Sequence, residues 1–146
     1  MEIIVGGAVL DIDASDFVDI NRNDFNAACA DQPGKVTYIG EKLLVARRDL
    51  ELAKIDLETR MAILDRDIRN SAEDTKTKIT EDRVRNMIQA DSSVENQKRR
   101  IVSLGTSVAA LKMLNNSLEH RKDMLIQIGA HLRAEANAYS TKISKP

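Results

Sequence analysis

"IGEKLLVARRDLELAKIDLETRMAILDRDI", residues 39–68, decides the fold. Apolar residues recur at Ile39, Leu43, Ala46, Leu50, Ala53, Leu57, Met61, Leu64 and Ile68, always three or four apart. That spacing marks one stripe of a helix, and from Thr37 to Ala72 no Pro interrupts it and no Gly follows Gly40. So long a helix with so narrow an apolar seam cannot bury itself. It must lie along another helix, in the manner of a coiled coil, with the successive four-residue steps at Ala53, Leu57 and Met61 relaxing any supercoil locally.

The partner follows in the same chain. A second long helix is predicted from Asp91, Ser92 or Ser93, any of which can cap it, to about Tyr139. Its stripe is Val94, Ile101, Leu104, Val108, Leu111, Leu114, Leu118, Leu125, Ile128 and Leu132, with Arg121 inside the apolar series. Gly105, Ala109 and Ala110 leave room for a close neighbour. Between the arms, "NSAEDTKTKITED" (70–82) loses the periodicity and reads as a polar joint. Thr80 followed by Glu81 and Asp82 restarts a short helix, which Val84, Met87 and Ile88 give a face.

The predicted fold class is all-α: a long helical hairpin with a short middle helix. Further apolar residues at Leu52, Ile55, Ile63, Val102, Met113, Met124 and Ile126 widen the stripes beyond one seam, so a second surface is expected to be covered. A helical homo-oligomer, ring or bundle, satisfies that demand. Composition agrees, because aromatics make up 3% of the chain and Trp is absent, whereas large β-folds lean on aromatic and β-branched residues.

Residues 1–34 read as a separate acidic leader of mixed structure, ahead of a helical body over 35–146. "EIIV" is a short strand that Gly6 and Gly7 break, "NDFNAACA" (23–30) is a short helix capped by Asn23 or Asp24, and "QPG" (32–34) is a closing turn. The leader holds seven acids and one base, while the whole chain holds 23 acids and 22 bases. The body is therefore basic, which suggests an anionic partner. The tail "STKISKP" (140–146) is polar and expected to fray.

Catalytic patterns are missing: no phosphate-binding glycine loop, CxxC, HExxH or nucleophile elbow. A non-enzymatic protein without cofactor is the expectation. "DIDASDFVDINR" (11–22) imitates a calcium loop at Asp11, Asp13 and Ser15, but has Asp16 where Gly must turn the chain and Arg22 where a bidentate Glu must close it. His120 and His131, three turns apart on one helix, are too far apart to share a metal. The single Cys29 makes no internal disulfide and is expected in a packed or half-buried place, consistent with a reducing compartment. No run approaches a membrane span and no basic start precedes an apolar run, so a cytoplasmic location is expected.

What remains is positive charge: "KRR" at Lys98, Arg99 and Arg100, a pair at Arg121 and Lys122, another at Arg47 and Arg48, and the joint with Arg60, Arg66, Arg69, Lys76, Lys78, Arg83 and Arg85. A single helical cation is usually a solvated residue or an ion-pair partner. Asp49 and Glu51 beside Arg47 and Arg48 favour that reading there. Lys98–Arg100 have only Glu95 one turn back. Repeated around an oligomer, such contacts gather avidity for a phosphate backbone, and scarce aromatics imply little base stacking.

Three segments together resemble the UvsY family, recombination mediator proteins of tailed phages. "SDFVDINRNDFNAACADQPGKVTYIGEKLLVAR" (15–47) is similar to the family's acidic and apolar N-terminal motif, the reach to a Pro and the Tyr that opens its first long helix. "MIQADSSVENQKRRIVSL" (87–104) resembles its helix start after a turn. "LNNSLEHRKDMLIQIGAHLRAEANA" (114–138) resembles its terminal helix, with Leu118, Arg121 and Ile126 or Ile128 in place. The resemblance implies a ring-like helical homo-oligomer that binds single-stranded DNA, contacts a single-strand DNA-binding protein and helps load a recombinase. It also implies DNA contacts at the end of the first long helix, here "TRMAILDRDIRNS" (59–71), where Asp65 and Asp67 intervene between Arg60, Arg66 and Arg69 and no Tyr follows. The DNA-binding set expected is Arg60, Arg66, Arg69, Lys76, Lys78, Lys98, Arg99 and Arg100, with Lys98–Arg100 placed toward the joint so that one end of each subunit is positive. The competing expectation is a coiled-coil scaffold whose cations only keep it soluble. A weaker one is an adaptor whose acidic leader mimics DNA.

Overall fold

A computed structural model describes residues 1–143. Two long helices dominate it: α2, Phe25–Asp74, and α4, Ser92–Ile143, joined through the ten-residue α3, Glu81–Ala90. They run antiparallel. Gln32 Nε2 donates to the Leu118 carbonyl at 2.8 Å and Gln97 Nε2 to the Ala53 carbonyl at 3.0 Å, two cross-links that fix the register of the hairpin along its length.

The predicted stripes form the seam. Ile39, Leu43, Ala46, Leu111, Leu114 and Leu118 are buried in one core, and Val84, Ile88 and Val94 in a second beside Leu57, Met61, Leu64 and Ile68. Beyond Ala53 the α2 stripe is only half-buried, because the short α3 and the first turn of α4 cover less of it than α4 does further on. Leu132 is exposed, since α4 there runs past the start of α2.

The joint is shorter than the sequence suggests. Helix α2 continues through "NSAED" to Asp74, and the connection is confined to 75–80. It ends in a Schellman motif: Thr77 N–H donates to the Ala72 carbonyl at 2.9 Å and Lys76 N–H to the Glu73 carbonyl at 3.0 Å. Lys76 takes the left-handed position, φ +51°, where Gly is usual. Thr80 caps α3 as expected, its hydroxyl accepting from Arg83 N–H at 3.4 Å.

The leader departs further. "EIIV" is a strand, β1 (Glu2–Val5), but it pairs with β2 (Ala8–Asp11) across Gly6 and Gly7. Both glycines have positive φ, +60° and +78°, as a two-residue hairpin turn requires. Ile3, Val5 and Ile12 enter the main core. Ile4 N–H donates to Ser107 Oγ at 2.8 Å and Gly6 N–H to Asp49 Oδ2 at 2.7 Å, so the hairpin is fastened to both long helices. The four-residue α1, Ser15–Val18, follows.

The predicted turn at "QPG" is absent: Pro33 lies inside α2, which starts at Phe25 under an Asp24 cap. Proline removes one helical N–H and crowds the carbonyl four residues earlier. Tertiary anchors override that preference. Gln32 is tied to Leu118, the Ala28 carbonyl accepts from Arg121 Nη1 at 3.3 Å, and Phe25 rests against Gly129. Cys29 is exposed rather than packed, because Ala28 and Gln32 take the inward positions of this segment. The C-terminal helix stays regular to Ile143; the last three residues of the expected polar tail lie outside the described residues.

Candidate nucleic-acid interface

The joint holds most of the expected DNA-binding residues, and the three arginines of that set, Arg60, Arg66 and Arg69, are engaged. Arg69 donates to Asp65 at 2.9 and 3.2 Å and to Glu81 at 2.8 and 2.7 Å, which fastens α2 to the first turn of α3. That pairing raises the Arg69 pKa further and holds the Glu81 carboxyl below its usual range. Arg66 pairs with Asp67 at 3.1 Å. Arg60 Nε donates to Ser93 Oγ at 2.7 Å, and that hydroxyl donates to Asp91. Asp91 also accepts from Ser93 N–H at 2.9 Å at the start of α4, and these bonds, the hydroxyl's first, lower its pKa. Arg60 thus braces a helix start. Lys76 and Lys78 are exposed with no carboxylate in ion-pair range among the described residues.

Charge along the hairpin follows from the register. Residues 57–94, the joint and its approach, carry seven bases and eight acids. The expected positive end is therefore close to neutral. At the other end, residues 1–34 with 115–143 carry ten acids and five bases. The middle, residues 35–56 with 95–114, carries nine bases and five acids. Lys98–Arg100 belong to this middle belt: Gln97 is tied to Ala53, roughly 20 Å along α2 from Arg66 at 1.5 Å per residue.

Lys98, Arg99 and Arg100 are exposed, and they fan apart. Arg99 pairs with Glu95 at 2.6 Å. Arg100 lines a cleft with Asp49, Asp56 and the turn glycines Gly6 and Gly7. Lys98 has no carboxylate in ion-pair range among the described residues, and neither have Arg47, Arg100 and Lys112. Arg48 pairs with Asp49 at 3.1 Å and Lys54 with Glu51 at 2.7 Å. Sequence reasoning set Arg47 aside as an ion-pair partner and did not single out Lys54 or Lys112, because only the Gln97–Ala53 and Gln32–Leu118 register brings the two arms level.

No protein family, curated protein or solved structure matches this chain. At the acidic end, a groove of about 720 Å³ opens between the start of α2 and the second half of α4, lined by Phe25, Pro33, Val36, Leu125 and Ile126. Beneath it Arg121, only 4% exposed, donates to the carbonyls of Ala28 and Asp19 at 3.3 Å and to Gln32 Oε1. Its partners are all neutral oxygens. The sequence placed Arg121 in an apolar series, and the structure makes it a structural bolt. Among the described residues no group of three His, Cys, Asp or Glu is placed to share a metal ion, and no helix is long and apolar enough to cross a membrane.

Proposed function

We propose that this chain is a non-enzymatic, self-associating helical factor that binds single-stranded nucleic acid through the phosphate backbone. In the fuller form that the UvsY resemblance implies, it prepares DNA coated by a single-strand binding protein for a recombinase. The observation that carries the binding reading is the charge of the mid-hairpin belt, nine bases against five acids in a nearly neutral chain. Exposed cations without local partners attract phosphates and release condensed counterions. Few aromatics means little stacking and little sequence preference. Self-association is supported by apolar side chains that a single copy leaves in water: Leu44, Leu52, Ile55, Val102, Met113 and Ile126 are each more than half exposed. The same residues support the second reading, a coiled-coil scaffold that binds no nucleic acid.

Fluorescence anisotropy with labelled oligo-dT at low and moderate salt, with mass from light scattering, separates the two. The nucleic-acid reading expects affinity that falls steeply as salt rises, from a species larger than one chain. An oligomer that ignores oligo-dT at low salt is the scaffold. A stable monomer removes both.

A further inference from the structure

The belt has two unlike flanks. One is closed by the β-hairpin, where Gly6, Asp49, Asp56 and Arg100 meet. The other is open, and at the acidic end it carries Pro33 of α2 with Glu119, Ile126 and Arg133 of α4 around one groove. Residues seven apart on a helix share a face. Counting by sevens from Pro33 along α2 gives Gly40, Arg47 and Lys54; counting back from Ile126 and Glu119 along α4 gives Lys112, Gly105 and Lys98. The hairpin register sets these two rows side by side.

We propose that this open flank, with Arg47, Lys54, Lys98 and Lys112 around Gly40 and Gly105, is the track for the phosphate backbone; the assignment rests on the nucleic-acid reading above. The row is about 20 Å long at 1.5 Å per residue. Arg47, Lys98 and Lys112 have no carboxylate in ion-pair range among the described residues, and Lys54 shares its charge with Glu51. The glycines support the same occupant. Glycine weakens a helix interior relative to alanine, and a Cβ at Gly40 or Gly105 would meet nothing within 4 Å. The chain's own packing does not require them, whereas a backbone that must come close to the helix surface does. A second copy docked two-fold on this flank would set the cations against themselves, so a polyanion fits better.

The test uses the full chain and labelled oligo-dT. Arg47→Glu/Lys98→Glu/Lys112→Glu is expected to weaken binding more than about tenfold, and about four phosphate contacts in the parent predict a roughly 50-fold loss between about 50 and 200 mM salt. Arg22→Glu/Arg85→Glu/Lys142→Glu makes the same change of net charge elsewhere and should retain most of the affinity. Equal losses in the two triples would reduce the effect to net charge and overturn the track. Loss in Arg66→Glu/Lys78→Glu, with the flank triple unaffected, would move the site to the joint and leave the nucleic-acid reading standing. No binding by the parent chain would remove that reading itself. Gly105→Leu adds the readout that helix packing alone would not move: helicity and melting temperature held or raised, with affinity lowered. Unchanged affinity, or a change of mass in its place, overturns close approach by a phosphate chain.

Discussion

Arg121→Met tests how the acidic end is held. Methionine keeps a long unbranched side chain in a site that is 4% exposed in the parent, so packing changes little while every donor disappears. Gln32 Oε1, in a buried hydrogen bond, loses its donor, whereas the Ala28 carbonyl stays in the hydrogen-bond ladder of α2 and the Asp19 carbonyl is part-buried and can turn to water. A buried acceptor left without a partner costs about 1–3 kcal/mol. Against that, removing a guanidinium with no carboxylate partner relieves its desolvation. The balance is a loss of about 1–2 kcal/mol, a fall in melting temperature of about 3–8 °C for a chain of this size. Circular dichroism melts at one fixed protein concentration measure it, since self-association shifts apparent stability. In Arg121→Met/Gln32→Leu the orphaned amide oxygen is gone too, so the double variant should lose less than the two single losses combined, by about 1–3 kcal/mol. If Arg121→Met melts at or above the parent temperature, the cation is a burden that the fold tolerates, and its role as a bolt is refuted.

Two further perturbations address the joint. Lys76→Gly relieves a left-handed backbone at a non-glycine residue, so it should stabilise the chain by about 1 kcal/mol in denaturant unfolding; unchanged oligo-dT binding in that variant would also remove Lys76 from the expected DNA-binding set. Acidification acts through Glu81 and Asp91, whose folded-state pKa values lie below their ordinary values. Their contributions are full above the unfolded carboxylate pKa and are lost as pH falls through the lower folded values. Protection against amide hydrogen exchange around 69–94, taken relative to the intrinsic rate at each pH, should therefore fall below about pH 4 ahead of the Ile39–Leu118 core, and Glu81→Gln should show the reduced protection already at neutral pH.

The long helices were legible because burial there is repetitive. Each apolar residue of the Ile39–Ile68 and Val94–Ile128 stripes repeats the same demand, so no single exception can hide the pattern. The leader was harder, because single contacts decide it. "QPG" carries strong turn chemistry, and only Gln32, Ala28 and Phe25 gripping residues of α4 more than 80 positions away keep it helical. The second strand escaped notice because "AVLD" is too short to alternate clearly; its existence follows from the Gly6–Gly7 turn and from Ile3 and Val5 needing a core. "NSAED" looked like a loop because polar residues suffice for a last helical turn that faces water and is closed by its own backbone bonds.

The candidate site was half legible for a related reason. Charge is visible in a sequence, but whether a cation is free depends on which carboxylate the fold brings to it. Arg69 looks available in "DRDIRN" until Glu81, twelve residues on, folds back and completes its fork. Arg47 looks spoken for beside Asp49, yet Asp49 turns to Arg48 and to the Gly6 amide, which leaves Arg47 to the opposite face. The β-hairpin thus has an electrostatic consequence as well as a packing one. By drawing Asp49 toward its own turn it sorts the belt into a flank with the carboxylates of Asp49 and Asp56 and a flank with exposed cations. A strand register at the start of the chain and the proposed phosphate track on the far side of the helices are thereby one arrangement. Asp49→Ala, which releases the Gly6 turn, is expected to change hairpin docking and leave oligo-dT affinity unchanged or raised.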